Sequence, residues 1–299
     1  MSTRAKGVVA TATPVSAAVR SRSNLQMAAQ RFLRQRLGMV GLVITGVLLL
    51  VSILAPLISP FPFDYIDLAA ANEFPSATHW FGADAVGHDY LSRIIYGVRT
   101  SMLVGFMSVA LSCCIGIPLG LLAGLRGGKV DFLVMRVVDV MTAFPGILFA
   151  IFLITVIGGG VSNVIFVIGL TGWVTICRLM RAQLLTLREQ EWVTAARSIG
   201  ASEMSLAFRH LLPNALAPLI ITITLAIPSA IFTEAGLSYL GIGINEPTPS
   251  LGKMVAASAD YIRVFWHLGL FPTLAIALAM LGFTFVGDGL RDALDTRAR

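Results

Sequence analysis

The stretch Met39-Val-Gly-Leu-Val-Ile-Thr-Gly-Val-Leu-Leu-Leu-Val-Ser-Ile-Leu-Ala-Pro-Leu-Ile58 carries no charged side chain from end to end. A helix of that length rises roughly 30 Å, the thickness of a bilayer's hydrocarbon core. A secretory leader has a shorter apolar run with a small-residue cleavage site after it. This run is too long and no such site follows, so it reads as an uncleaved membrane anchor. Five more apolar stretches follow, at about 102–123, 135–157, 162–180, 214–236 and 267–287. The expected fold is an all-α membrane protein with six transmembrane helices.

Composition agrees. Of 299 residues, 56% are hydrophobic and only 13% charged, and the mean hydropathy is +0.83. A water-facing domain carries roughly twice that share of charge. The net charge of +6 does not point to nucleic acid. The basic residues sit between the apolar runs instead of forming a patch interleaved with aromatics. Three cysteines, Cys113, Cys114 and Cys177, lie inside apolar stretches without CxxC spacing or neighbouring histidines, and read as small buried residues.

Residues 1–24 are basic, Ser/Thr-rich and without period, as a disordered tail would be. A transit peptide shares that composition. From Asn24 to Leu37, Leu25, Ala29, Phe32 and Leu33 share one side while Arg31, Arg34 and Arg36 fill others, which suits an interfacial helix at the membrane surface. With the amino terminus inside, 18 of the 22 Lys and Arg fall on inner segments. Only Arg93, Arg99, Lys253 and Arg263 fall outside. That bias places both termini in the cytoplasm, with long connections 59–101 and 237–266 outside and 181–213 inside.

The inner connection contains Glu191-Trp-Val-Thr-Ala-Ala-Arg-Ser-Ile-Gly200-Ala-Ser-Glu-Met-Ser-Leu-Ala-Phe-Arg-His210-Leu-Leu-Pro213. A helix should stop at Gly200, which tolerates a left-handed conformation. Ser202 should cap a second helix with Glu203 in its first turn, and Pro213 should end or kink that helix. The expectation is two short helices with a sharp bend.

Thr194-Ala195-Ala196, then Gly200, then Leu212-Pro213 resemble the "EAA" loop of the permeases of ATP-binding-cassette importers. Thr194 stands where that family has glutamate, and Glu191 is out of register to replace it. Further segments are similar to the dipeptide/oligopeptide/nickel branch and to its second, C-type permease subunit. These are His79-Trp-Phe-Gly-Ala-Asp84 through Arg93 (with His88 in place of an arginine), Gly236-Leu-Ser-Tyr-Leu-Gly-Ile-Gly243 with Pro247 to Gly252, and Gly287-Asp288 through Asp295.

The resemblance implies a type I importer transmembrane domain in a bacterial inner membrane. Residues 25–101 would hold the interfacial helix, first span and extracytoplasmic segment. Residues 102–290 would be the core permease with its coupling loop at 181–213, and 291–299 a cytoplasmic end. It also implies partners: a homologous second permease subunit, two cytoplasmic ATPases that use ATP and Mg2+, and an extracytoplasmic substrate-binding protein. The loop residues Thr194, Ala195, Ala196, Gly200, Ala201, Ser202, His210 and Pro213 would meet the ATPase. Di- and oligopeptides are the implied substrates, with glutathione or nickel as alternatives.

The chain itself is not expected to be an enzyme or to bind a cofactor or metal. Its nearest approach to a phosphate loop, Ala123 to Val130, has Ala for the first Gly and Val where Ser or Thr must reach magnesium. An ion-coupled transporter would show inverted repeats and mid-membrane charges, which are not found. Polar residues inside spans are costly and often functional. Ser229, Thr233 and Glu234 on the fifth stretch are candidates for the substrate path, as are Thr171, Trp173 and Thr175 on the fourth. Arg136 and Asp139 are read as a structural pair at helical spacing.

Overall fold

A computed structural model describes residues 24–294. The expected tail lies outside the described residues apart from Asn24, as do residues 295–299. Among the described residues the only extended pairing is one isolated bridge between Ala83 and Asp89. Within the described residues eleven α-helices follow one another: α1 (Asn24–Arg34), α2 (Arg36–Ile58), α3 (Tyr90–Arg126), α4 (Gly128–Ala143), α5 (Gly146–Ile157), α6 (Val161–Arg188), α7 (Glu191–Ser198), α8 (Glu203–Leu206), α9 (Leu212–Tyr239), α10 (Leu251–Ser258) and α11 (Trp266–Leu294). Apolar segments become helix because each backbone N–H then bonds inside its own segment, needing nothing from lipid.

Among the described residues, five helices are long and apolar enough to cross a bilayer: α2, α3, α6, the continuous run Glu203–Tyr239, and α11. The third apolar stretch differs from the straight span expected over 135–157. It is the bent pair α4 and α5, which meet at 86°. Pro145 explains the break, since its ring pushes Phe144 out of the helical region to φ −96°, ψ 136°. Alone, α5 rises only about 18 Å, short of a hydrocarbon core of roughly 30 Å. Taken with α4 as one bent span, it brings the number of candidate spans among the described residues to six.

The helix α3 begins at Tyr90, twelve residues before the expected apolar stretch, because Asp89 caps it. One Asp89 oxygen accepts from the Ser92 N–H at 2.8 Å and from the Ser92 hydroxyl at 2.6 Å. The other lies 2.9 Å from His79 Nδ1. The pair expected between Arg136 and Asp139 is not formed. Asp139 lies 3.6 Å from Arg178 on α6, while Arg136 stacks over the Phe132 ring at 5.0 Å. The cross-helix partner holds α4 to α6, which a pair within α4 cannot do.

Two close crossings organise the bundle. Gly116, Gly120 and Gly124 form a one-sided stripe on α3, and α6 lies directly on it. A Cβ at Gly120 would stand 2.6 Å from the Cys177 carbonyl oxygen and 2.7 Å from Met180 Cβ. On α2, a Cβ at Gly41 would stand 2.6 Å from Phe285 Cβ and 2.7 Å from the Gly282 carbonyl oxygen of α11. Lipid tails are as apolar as leucine, so association rests on close packing of this kind and not on a hydrophobic difference. The helix α1 is fastened to the end of α11, where the Gln35 amide donates to Asp292 at 2.7 Å.

The chain alternates between two ends. One carries α7 and α8, the end of α3 and the end of α6. The opposite end carries residues 59–89, the start of α3, and α10.

Candidate functional site

At the α7–α8 end the bend forms as the residues dictate. Gly200 sits at φ +89°. Its N–H donates to the Arg197 carbonyl at 2.9 Å, and the Ala201 N–H to the Ala196 carbonyl at 3.1 Å. Those two bonds close a helix whose next residue is left-handed, the role a glycine fills without cost to a Cβ. The Ser202 hydroxyl then accepts from the Ser205 N–H at 3.3 Å and caps α8. Across the bend, Arg197 donates twice to Glu203, at 2.7 and 3.0 Å.

One side of this loop is anchored. Val193, Leu206 and Leu211 are wholly buried against Met180 and Leu184 of α6, with Ala196 and Ala201 packed on the same cluster. The other side is exposed, and there lie Thr194 and Ala195 beside uncovered apolar side chains: Trp192, Met204, Phe208, and Ile199 at 87% exposure. An anchored base under an uncovered apolar face has the form of a contact surface. His210 is also exposed, its ring edge-on to Trp192 at 6.2 Å.

Of the end or kink expected at Pro213, the end does not occur. From α8 the chain passes through a π-helical turn, Ala207–Leu211, into α9 with Pro213 in its first turn. The Leu212 N–H donates to Ala207, five residues back. The Asn214 amide donates to the His210 carbonyl at 2.7 Å. A widened turn accommodates a residue without an N–H, because the regular bonding ladder is already displaced there.

Within the bundle, Ser229 and Thr233 of α9 line a cavity of about 500 Å³ between α3, α5, α6 and α9. Thr171 and Thr175 of α6 face it too, with Ser108 and Ser112 of α3 and Thr222. No ionisable side chain lines it. The Ser108 hydroxyl is buried without a hydrogen-bond partner. A wall of neutral hydroxyls among apolar groups suits an uncharged polar surface such as an amide. Trp173 does not line the cavity; it is buried with Val138 of α4. Reading the sequence missed the α3 serines, whose only signal was a four-residue spacing in an apolar helix.

Glu234 is turned away from that cavity. It is fully buried and accepts three hydroxyl hydrogen bonds: from Ser101 of α3 at 2.9 Å, Ser238 at 3.0 Å and Ser250 at 2.8 Å. A buried carboxylate demands such partners. Two of the serines act twice, since Ser238 also accepts from the Ile244 N–H at 3.2 Å and Ser250 caps α10. Glu234 thus fastens the α9–α10 connection to α3. Nearby, Arg93 donates to both Glu246 oxygens at 3.1 and 2.9 Å, with Lys253 at 3.4 Å from the same carboxylate. Burial pushes the Glu246 carboxyl up, but the Arg93 bonds and the two cations outweigh it and hold it below its ordinary value.

A polytopic helical membrane protein with an anchored loop of small residues at one end and a hydroxyl-lined open cavity between its helices has the parts of a transport subunit. Comparison with known proteins names the family. Residues 116–299 match the family described as the binding-protein-dependent transport system inner membrane component. Residues 23–75 match the N-terminal transmembrane domain of oligopeptide transport permease C. The chain belongs to this family, as a C-type permease subunit of ATP-binding-cassette importers. It is 40% identical over 270 residues to the oligopeptide transport system permease protein OppC of Bacillus subtilis, covering 90% of this chain and 88% of that one. It is 39% identical to a dipeptide transport system permease protein, DppC, of Alkalihalophilus pseudofirmus, covering 89% and 88%. It is 37% identical to a glutathione transport system permease protein, GsiD, of Pectobacterium atrosepticum, covering 90% of each. A chain of the MetNI methionine ABC transporter in an inward-facing conformation shares the fold with a TM-score of 0.59 at 21% identity, covering 69% of this chain and 97% of that one.

Proposed function

We propose that this subunit forms half of a translocation path for di- and oligopeptides, with a homologous second permease supplying the other half. Two cytoplasmic ATPases drive it by pressing on the α7–α8 bend, and an extracytoplasmic binding protein delivers the substrate. The observation that carries this reading is the bend itself: rigidly based, exposed, and continuous through the π turn with α9, whose Ser229 and Thr233 line the cavity. A push on α8 is therefore a push on a cavity wall. Peptide is favoured by the names of the relatives and by the uncharged, hydroxyl-rich lining, which matches amides. Glutathione is the second reading, on the strength of the GsiD relatives.

The uneven distribution of Lys and Arg, 18 against 4, supports a cytoplasmic placement of both termini and of α7–α8. Reporter fusions after Arg36 and within 185–210 should then report cytoplasm, and those near Asp67 and Pro249 the outside. The substrate is tested by reconstituting the complete transporter in proteoliposomes with labelled dipeptide, oligopeptide, glutathione and nickel. ATP-dependent uptake of peptide above the other labels is expected; uptake of glutathione alone would favour the second reading, and uptake of none would overturn both.

A further inference from the structure

A second cavity, of about 700 Å³, opens at the α7–α8 end between the last turns of α3, the end of α6 and the loop. Its polar side holds Arg126, Arg188 and Arg197 against one carboxylate, Glu203. That carboxylate is committed to Arg197 by two hydrogen bonds. Arg188 gives a single bond, to the Gly124 carbonyl at 3.1 Å, which leaves most of a guanidinium's five donors unused. Arg126 is exposed and makes no hydrogen bond or ion pair among the described residues. The opposite side is apolar, with Leu122 and Phe208 both exposed.

Two arginines with spare donors therefore line one open space, and the wall beside it is the exposed apolar flank of a spanning helix. We infer that this cavity binds the headgroup of an anionic phospholipid, with the phosphate between Arg126 and Arg188 and an acyl chain along Leu122 and Phe208. A guanidinium fork suits phosphate oxygens, and basic pockets between helix ends at a membrane surface are suited to such headgroups. A free phosphate has no use for the apolar wall. Position supports lipid as well: Arg126 ends α3, whose 37 residues rise about 55 Å, past the hydrocarbon core and into the headgroup zone. A lipid seated there touches the base of α3 and the exposed side of α8 at once, so it would brace the loop that the proposed ATPase contact moves.

The test uses the purified full-length chain within its complete transporter, in nanodiscs of phosphatidylcholine with or without phosphatidylglycerol. Native mass spectrometry counts the phosphatidylglycerol retained, and co-purification reports the ATPases. Wild type should retain one more phosphatidylglycerol per copy than the double variant Arg126→Gln with Arg188→Gln. Its affinity for that lipid should fall about twenty-fivefold, from roughly fivefold per arginine. The Lys pair at the same positions should keep most of it. Leu122→Trp, which fills the apolar side and leaves the charges alone, should lower retention too, and serves if the double variant fails to fold. Soluble glycerol phosphate should not protect against thermal unfolding. Equal retention by wild type and both kinds of variant would overturn the inference. So would full protection by glycerol phosphate, which marks a free-anion site. So would loss of the ATPases with lipid retention unchanged, which marks a protein contact.

Discussion

The Ser250 hydroxyl donates to Glu234 Oε1 at 2.8 Å while it caps α10, so one side chain both starts that helix and holds it against α9. Ser101 brings α3 to the same carboxylate. Replacing Glu234 by Ala leaves three buried hydroxyls without an acceptor, at about 1–3 kcal/mol each where no other partner is found. Glu234→Ala should lower the thermal midpoint in detergent far more than Glu234→Gln, which keeps an acceptor oxygen. An unchanged midpoint for Glu234→Ala would show that the three serines are satisfied some other way.

The α3 glycine stripe sets a second expectation. A Cβ at Gly120 lands 2.6 Å from the Cys177 carbonyl oxygen, and backbone cannot swing aside as a side-chain tip does. Gly120→Val must separate α3 from α6 and should cost several kcal/mol, in the range of overpacked cores. Gly46 is the matched control: a Cβ there meets nothing within 4 Å, so Gly46→Ala should be neutral or stabilising by up to about 1 kcal/mol. Thermal unfolding of the two variants side by side reads the difference.

Much of this was legible in the residues. Apolar runs gave the spans, and Gly200 and Ser202 gave the bend, because those features are local: a glycine's φ and a serine's cap depend on a few neighbours. What escaped was long-range. Ser101 and Glu234 are 133 positions apart, and nothing in either segment announces the other. Arg136 looked like the partner of Asp139 because spacing along one helix is visible and Arg178 on α6 is not. A proline ends or kinks a helix, and at Pro213 the helix does not end but runs on through a π turn just before it, where the bonding ladder is already displaced. At Pro145 the same rule held, and the missing element was its size, an 86° bend where only a span was expected. The glycine stripe on α3 was readable from its four-residue spacing, though which helix it receives was not.

The Arg93–Glu246 pair predicts an acid-sensitive contribution. The Glu246 carboxyl is held below its ordinary value of 4.5. A depressed carboxylate contributes stability that is complete above the unfolded value and is lost as pH falls through the folded one. Half of the Glu246 side chain is exposed, so solvent screens the effect and keeps it modest. Wild type should unfold at a higher temperature than Glu246→Gln at pH 7, and that gap should begin to shrink as pH falls below about 4.5 and close only below the depressed folded value, once Glu246 is protonated and neutral like the Gln. A gap that is constant down to pH 3 would mean the difference arises from packing and not from charge.

The α7–α8 bend gives the last prediction. Gly200 holds φ +89°, and a Cβ there meets nothing within 4 Å. The penalty for Gly200→Val is therefore purely conformational, about 1–2 kcal/mol for a left-handed residue and more when the side chain is branched at Cβ. It falls on the bond pair from Gly200 to Arg197 and from Ala201 to Ala196 that ends α7. The bend should open while the bundle, whose glycine crossings lie elsewhere, stays folded. Ala196 is half-buried on the cluster with Leu206 and Leu211, so Ala196→Asp places an unpaired charge under the loop, a class of change that costs several kcal/mol. Thr194 is exposed and points into no packed contact, so Thr194→Glu should be tolerated. Each variant is purified with its ATPases and assayed for uptake beside its thermal midpoint. Gly200→Val and Ala196→Asp should lose the ATPases and uptake together, with the spanning helices intact by circular dichroism, and Thr194→Glu should keep both. If the first two retain their ATPases and transport at the wild-type rate, the α7–α8 bend does not carry the stroke, and the push on α9 must enter the bundle elsewhere.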